Sequence, residues 1–323
     1  MALLTYNDLQ DRVLRHLDEA TVTGDTTLAL VKQLINQAQA MRCTSQPWPF
    51  MIWDTAETLT LVAGQAAYVL HSEFQKPLYF WNSTRHAYLV EVPVRSIENL
   101  EPTTTTQSVP GRYCLWSRTP VAAQPAAAST LSIVSSSAAD TAVTVTIRGV
   151  TTAGVVSETK TATGVTPVTT TNTFSKILNV TLSAAWAGTL TITAGSVTCL
   201  TLTPGELGRS YQQIYLLDLP SSTDVISYKF YRMPTTLVND NDLPDIPPPH
   251  AEILVFDTLL MMTGYIPDLS KASLQIWSDT RDRLERAMTL DLLDAHSIAA
   301  QPRLIRDLDS AEDSTWYPHV HSS

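Results

Sequence analysis

Five oxygen-bearing side chains fall within one short stretch, Asn239, Asp240, Asn241, Asp242 and Asp245, and a hard cation such as calcium uses ligands at that spacing. Counted from Asn239 as the first position of a calcium loop, however, Pro244 and His250 stand where the loop needs Gly and Glu. A polar turn is therefore the better reading. His319 and His321 would point to one side of an extended segment, but two imidazoles without a third ligand make a poor metal site. Trp48, Phe50 and Trp53 form one aromatic group and Trp81, Tyr113 and Trp116 another. Aromatics beside prolines or on strands serve packing more often than ligand stacking. Glu98, Glu101 and the C-terminal acids offer no isolated carboxylate pair for acid and base roles.

Nucleophilic and phosphate chemistry leave no trace either. The sequence has no Gly-x-Ser-x-Gly elbow, no Gly-rich loop ending in Lys-Ser/Thr and no His-Glu-x-x-His helix, and its 11 glycines leave little backbone for cradling phosphates. No catalytic, cofactor-binding or metal residue is assigned, and the chain reads as a non-enzyme. Cys43, Cys114 and Cys199 are odd in number and lack a Cys-x-x-Cys spacing, which fits free thiols in a reducing cytoplasm. The expected chain has no signal peptide and no membrane span, because the N-terminus turns polar at once and Asp257 interrupts the most apolar C-terminal stretch.

With 323 residues and 44% apolar content the chain can bury a core in each of two domains. Its formal charge of −10 is uneven: residues 208–323 carry nine basic against seventeen acidic side chains. No Lys/Arg cluster is present that would displace counterions from nucleic acid. Composition changes abruptly at about Pro125. From there to Leu207, thirty of 83 residues are Thr or Ser, and only Arg148, Asp140, Glu158, Lys160, Lys176 and Glu206 are charged. This stretch reads as a β-domain inserted into another domain.

The flanks supply the host. Thr5 and Asp8 favour a helix start, after which Tyr6, Leu9, Val13 and Leu17 share a face. Thr26 or Thr27 is expected to cap a second helix with Leu30, Leu34, Ala38 and Met41 as its stripe, ended by Pro47-Trp48-Pro49-Phe50. Period-two runs then predict strands at 58–62, 67–70, 77–81, 88–92 and 113–116, and later at 213–217 and 225–231. Inside the insertion, strands are expected at 131–134, 143–147, 155–156, 177–182 and 189–192, a spacing that suits an Ig-like sandwich. A buried helix from His250 to about Thr263, stopped by Gly264, and an amphipathic helix from Asp268 to about Ala295 complete the host. The expected organisation is α+β: residues 1–124 and 208–295 form one discontinuous domain of helices and a β-sandwich or barrel, 125–207 the insertion, and 296–323 a tail that orders only against a partner.

The order of these elements, with Ile35-Asn36-Gln37-Ala38-Gln39, Trp48-Pro49-Phe50, Tyr228-Lys229-Phe230-Tyr231-Arg232-Met233-Pro234 and Leu243-Pro244-Asp245-Ile246-Pro247, resembles the head-to-tail adaptor (connector or neck) proteins of tailed bacteriophages over about residues 1–121 and 208–295. The insertion, with Ser137-Ala138-Ala139-Asp140-Thr141, Ile147-Arg148-Gly149 and Ser157-Glu158-Thr159, looks like the Ig-like modules of phage structural proteins. The resemblance implies a virion neck protein assembled in the host cytoplasm. It would form a ring of twelve copies beneath the portal protein, meet a downstream tail or nozzle protein, and extend a channel through which DNA passes without sequence-specific binding. It also implies a C-terminal segment reaching into the portal, for which Trp316 and Tyr317 are the aromatic anchors. Asp279, Asp282 and Glu285 are the acids expected to face the channel. The competing expectations are a tail adhesin that binds the host surface through the inserted module and, less economically, a wall-degrading enzyme with no residue to carry the reaction.

Overall fold

The computed structural model describes residues 3–17, 25–95, 107–265 and 271–294. It divides into two compact units, one of residues 1–52 with 234–323 and one of residues 53–233.

The first unit is helical. Helix α1 (Tyr6–His16) begins on a reciprocal cap: the Asp8 amide donates to the Thr5 hydroxyl at 3.2 Å and the Thr5 amide to the Asp8 carboxylate at 2.8 Å. Its buried residues Tyr6, Leu9 and Val13 follow the expected face, continued by Leu17. Helix α2 (Asp25–Ser45) is already helical ahead of Thr26 and Thr27. Its inward residues are Val31, Leu34, Ile35, Ala38, Gln39 and Arg42, while Met41 is exposed. The anticipated stripe was thus rotated slightly from the real one. A 3-10 turn at Pro49–Met51 follows, with Trp48 wholly buried and donating its indole N–H to the Arg42 carbonyl at 2.8 Å.

Helix α3 (Ile253–Met262) is apolar on nearly every side and packs against α1 and α2 and against helix α4 (Lys271–Thr289). Burial on all faces is what such a sequence requires. Helix α4 gives way at Leu290–Asp294 to a π-helical turn, and its expected start at Asp268 lies outside the described residues. Between the second unit and α3, the 235–245 segment is held to α2 by side-chain amides acting as substitute backbone. Asn36 donates to the Leu237 carbonyl at 3.0 Å and accepts from the Leu237 amide at 2.7 Å; Gln39 donates to the Thr235 carbonyl and accepts from the Asp245 amide. Partly covered main-chain groups are thereby satisfied where no sheet or helix does it.

Among its described residues the second unit is built mainly of β-strands. Its first strands are β1 (Glu57–Thr60), β2 (Ala67–Val69), β3 (Phe74–Asn82), β4 (Ala87–Tyr88), β5 (Val90–Glu91), β6 (Gln107–Ser108) and β7 (Arg112–Thr119). After the intervening stretch come β15 (Tyr211–Leu216), β16 (Leu219–Pro220) and β17 (Val225–Arg232). Two four-stranded sheets, β1-β17-β3-β4 and β2-β15-β7-β5, enclose one core built on Phe74, Phe80, Tyr113, Ile214, Tyr228 and Phe230. The single strand expected at 88–92 is two: β4 pairs with β3, β5 pairs in parallel with β7, and buried Leu89 marks where the chain changes sheet. Pro77 lacks an N–H for the ladder, and the β3–β17 register slips opposite it, between Lys229 and Phe230.

Between these strands lie β8 (Leu131–Ser135), β9 (Thr144–Thr151), β10 (Gly154–Thr161), β11 (Val168–Thr169), β12 (Lys176–Leu182), β13 (Leu190–Ala194) and β14 (Val197–Leu202). They form sheets β10-β9-β12 and β11-β8-β13-β14 around Leu131, Ile133, Val145, Ile147, Phe174, Trp186, Leu190 and Ile192. The molecule is therefore α+β, with antiparallel sheets compatible with a sandwich. Strands β11 and β14 are additions to the expected set. A Cβ at Gly149 would come within 2.5 Å of the Lys176 carbonyl and of Phe174, so only glycine allows β9 and the start of β12 to approach this closely. Buried Asp140 accepts from the Ser135 hydroxyl and from the Ala187 and Gly188 amides at 2.8 and 3.0 Å. Burial opposes its charge, but these donors prevail and hold its carboxyl below the usual value.

Candidate interaction surfaces

The acids of α4 divide by environment. Asp279 is exposed and accepts from the Gln275 side-chain amide at 2.8 Å. Asp282 lies 3.0 Å from the Arg281 guanidinium. Glu285 is half-buried and pairs with Arg42 of α2 at 2.8 Å and with Arg281 at 3.5 Å. Arg42 also forks onto Asp257 of α3, with N···O distances of 2.8 to 3.0 Å, and both side chains are largely covered, at 7% and 12% exposure. Burial opposes charge on both partners. It pushes Asp257 above its ordinary value against the pull of Arg42, whereas for Arg42 the two carboxylates outweigh burial and keep it charged. Glu285 thus bridges helices, and the free negative surface of this stretch falls to Asp279 and part of Asp282.

The polar turn uses its own oxygens. Asp242 accepts from the Val238 and Asn239 amides, each at 2.7 Å, Asp245 accepts from the Thr235 amide at 2.6 Å, and Asp240 pairs with Lys32 at 3.3 Å. These amides hold the Asp242 carboxyl below its usual range. Among the described residues, no group of three or more His, Cys, Asp or Glu is placed to hold a metal ion. Cys43, Cys114 and Cys199 are buried, unbridged thiols.

Neither aromatic group survives as a platform. Trp48 stacks on Phe50 inside the helical unit, while Trp53 belongs to the β unit and stacks on Phe230. Trp81 packs edge-on against exposed Tyr88, Tyr113 is buried against Phe80, and Trp116 is 46% exposed beside Tyr215. Trp116 stands three positions after Tyr113, an odd offset that puts them on opposite faces of β7, and period-two reasoning alone could have separated them.

Trp116 opens on a cleft of about 840 Å³ that the sequence reading did not anticipate. Its floor is the outer face of β2, β15 and β7, with Tyr215, Gln213 and Trp116, and the 120–124 connection and the first residues of β12 form a wall. Gln124 fixes that wall, donating to the Ile177 carbonyl at 3.0 Å and accepting from its amide at 2.7 Å. The charged residues lining the cleft are Arg118 and Lys176; no acid lines it. Glu98, Glu101, Trp316, Tyr317, His319 and His321 lie outside the described residues. Among the described residues no helix is long and apolar enough to cross a membrane.

Residues 4–153 match the family described as SU10 adaptor protein, a stretch that covers a little under half the chain. It includes α1, α2, β1 to β8 and β9, and so runs past the compositional break at Pro125. No curated protein matches the chain. The match suggests a structural adaptor of a phage particle, a virion component that associates with other capsid or tail proteins, and such a family is not a class of enzymes.

Proposed function

We propose that this chain is a head-to-tail adaptor, a non-enzymatic virion protein that joins the portal ring to the tail and extends the channel for DNA. The similarity of residues 4–153 to SU10 adaptor protein carries this reading. The acid excess of the C-terminal third agrees with it, since like charge keeps DNA from lodging on a conduit wall. In this reading residues 1–124 and 208–295 form the adaptor body and 125–207 an inserted Ig-like module. About twelve copies close a ring in the neck, a downstream tail or nozzle protein docks below, and Trp316 and Tyr317 of the 296–323 tail engage the portal. Asp279 and Asp282 are the acids that α4 offers to the channel, while Glu285 acts mainly by tying α4 to α2.

The test is mass photometry of the purified chain, alone and mixed with its portal ring, followed by imaging of any complex. A discrete ring, free or seated on the portal, is expected. A monomer indifferent to the portal would overturn the proposal.

A further inference from the structure

In a chain of net charge −10, the cleft beneath Trp116 is lined by two cations and no acid. Arg118 and Lys176 are exposed, and neither forms an ion pair among the described residues. Trp116 and Tyr215, with ring centroids 5.6 Å apart, offer a half-exposed aromatic surface beside them. An occupant that satisfies all four groups must combine several negative charges with a flat apolar group. It must also be slender, because Gln124 already occupies the polar edge of β12.

The chain itself contains such a segment. Asp307, Asp309, Glu312 and Asp313 are followed, after Ser314 and Thr315, by Trp316, Tyr317 and Pro318. Trp316 stands 22 positions beyond Asp294, the last described residue, a contour of up to about 70 Å at ~3.3 Å per residue. That length is ample for reaching another molecule. We infer that the cleft seats the acidic, aromatic segment 307–318 of a neighbouring copy, with the acids toward Arg118 and Lys176 and Trp316 or Tyr317 against Trp116 and Tyr215. The inference rests on the ring reading only for its supply of neighbours. A tail seated this way is not on the portal, so the cleft holds it in assemblies that lack the portal.

Two full-length variants test this. One carries Trp116→Ala with Arg118→Glu and Lys176→Glu, all exposed positions, and so has a disabled cleft; the other carries Trp316→Ala with Tyr317→Ala and has a disabled tail. A labelled synthetic peptide of residues 307–318 should bind the tail variant saturably by fluorescence anisotropy. Adding the cleft substitutions to that chain should weaken binding at least tenfold. A peptide with lysine at 307, 309, 312 and 313 should recover affinity for the charge-reversed cleft. Native mass spectrometry should then show the two variants associating when mixed more than either does alone.

Equal peptide binding with and without the cleft substitutions, or no saturation below about 1 mM, would overturn the inference. So would equally effective competition by an oligonucleotide or by heparin, which would make the cleft a general polyanion site. Rings that form normally while peptide binding ignores the cleft substitutions would overturn the tail-to-cleft contact and leave the adaptor reading intact. Peptide binding by a chain that never forms rings would overturn only the adaptor reading.

Discussion

Arg42 connects three helices through one guanidinium, with Asp257 on α3 and Glu285 on α4 as its partners. Arg42→Met would fill similar volume but strand the covered Asp257 carboxylate. A loss of about 3–5 kcal/mol is expected from urea unfolding, and Asp257→Asn in the same chain should return part of it. Glu158 is a second such anchor, only 10% exposed. Burial opposes its charge, but the Thr171 and Asn172 amides, Lys160 and the Asn172 side chain overcome this and bring its pKa down to about 2. A folded value below the ordinary 4.5 means the stabilisation is complete above about pH 4.5 and fades as the pH falls toward 2. Its ceiling is about 3 kcal/mol. Glu158→Gln should therefore flatten the decline in urea midpoint between pH 5 and 2.5. Gly149→Ala would drive a methyl into the Lys176 carbonyl and Phe174, and a loss of about 1–3 kcal/mol is expected in the same assay.

Helix α1 was readable because its cap and its apolar face agree. Thr5→Ala should cost about 0.5–2 kcal/mol, read as a lowered thermal midpoint, and Thr5→Ser should restore it. Helix α2 was readable as a helix but not in its rotation: apolarity favoured Met41 as inward, whereas the carboxylates of α3 and α4 draw Arg42 inside and leave Met41 in solvent. Charge pairing across more than two hundred residues has no signature in local periodicity. Most β-strands between residues 131 and 202 were legible from alternation of Val, Ile and Leu with Thr. Strand β14 was not, because Cys199 and Leu200 are adjacent and both buried, where its register against β13 shifts at a bulge. The break at Leu89 was hidden for another reason, since a chain that changes sheets keeps its strand-like composition throughout. The cleft was least legible of all. Its lining comes from four separate stretches of sequence, and none of them is unusual by itself.

The two compact units do not coincide with the compositional boundaries. Composition separates 125–207 from everything else, whereas packing groups residues 53–233 together, because Val121 and Tyr211 share a core with strands β8 to β14 and Val69 packs against it. Thr/Ser content reports the surface of a β-module and says little about what its buried residues touch. The net charge of −10 and the absence of a basic cluster predict that the protein will not retain duplex DNA at 0.15 M salt. A mobility-shift titration measures this directly, and tight binding at that salt would contradict the conduit reading.

The side-chain amides of Asn36 and Gln39 also set a timetable. Asn36 grips Leu237, which is 201 residues later in the chain, and α3, the common packing partner of α1 and α2, is later still. On a ribosome adding roughly 5–20 residues per second, the first two helices wait about ten to forty seconds for the segment that covers their apolar faces. The β unit, contiguous from 53 to 233, is complete within that interval. The two helices are thus made before the β unit and finished after it, and their exposed stripes are where a nascent-chain chaperone would find its hold.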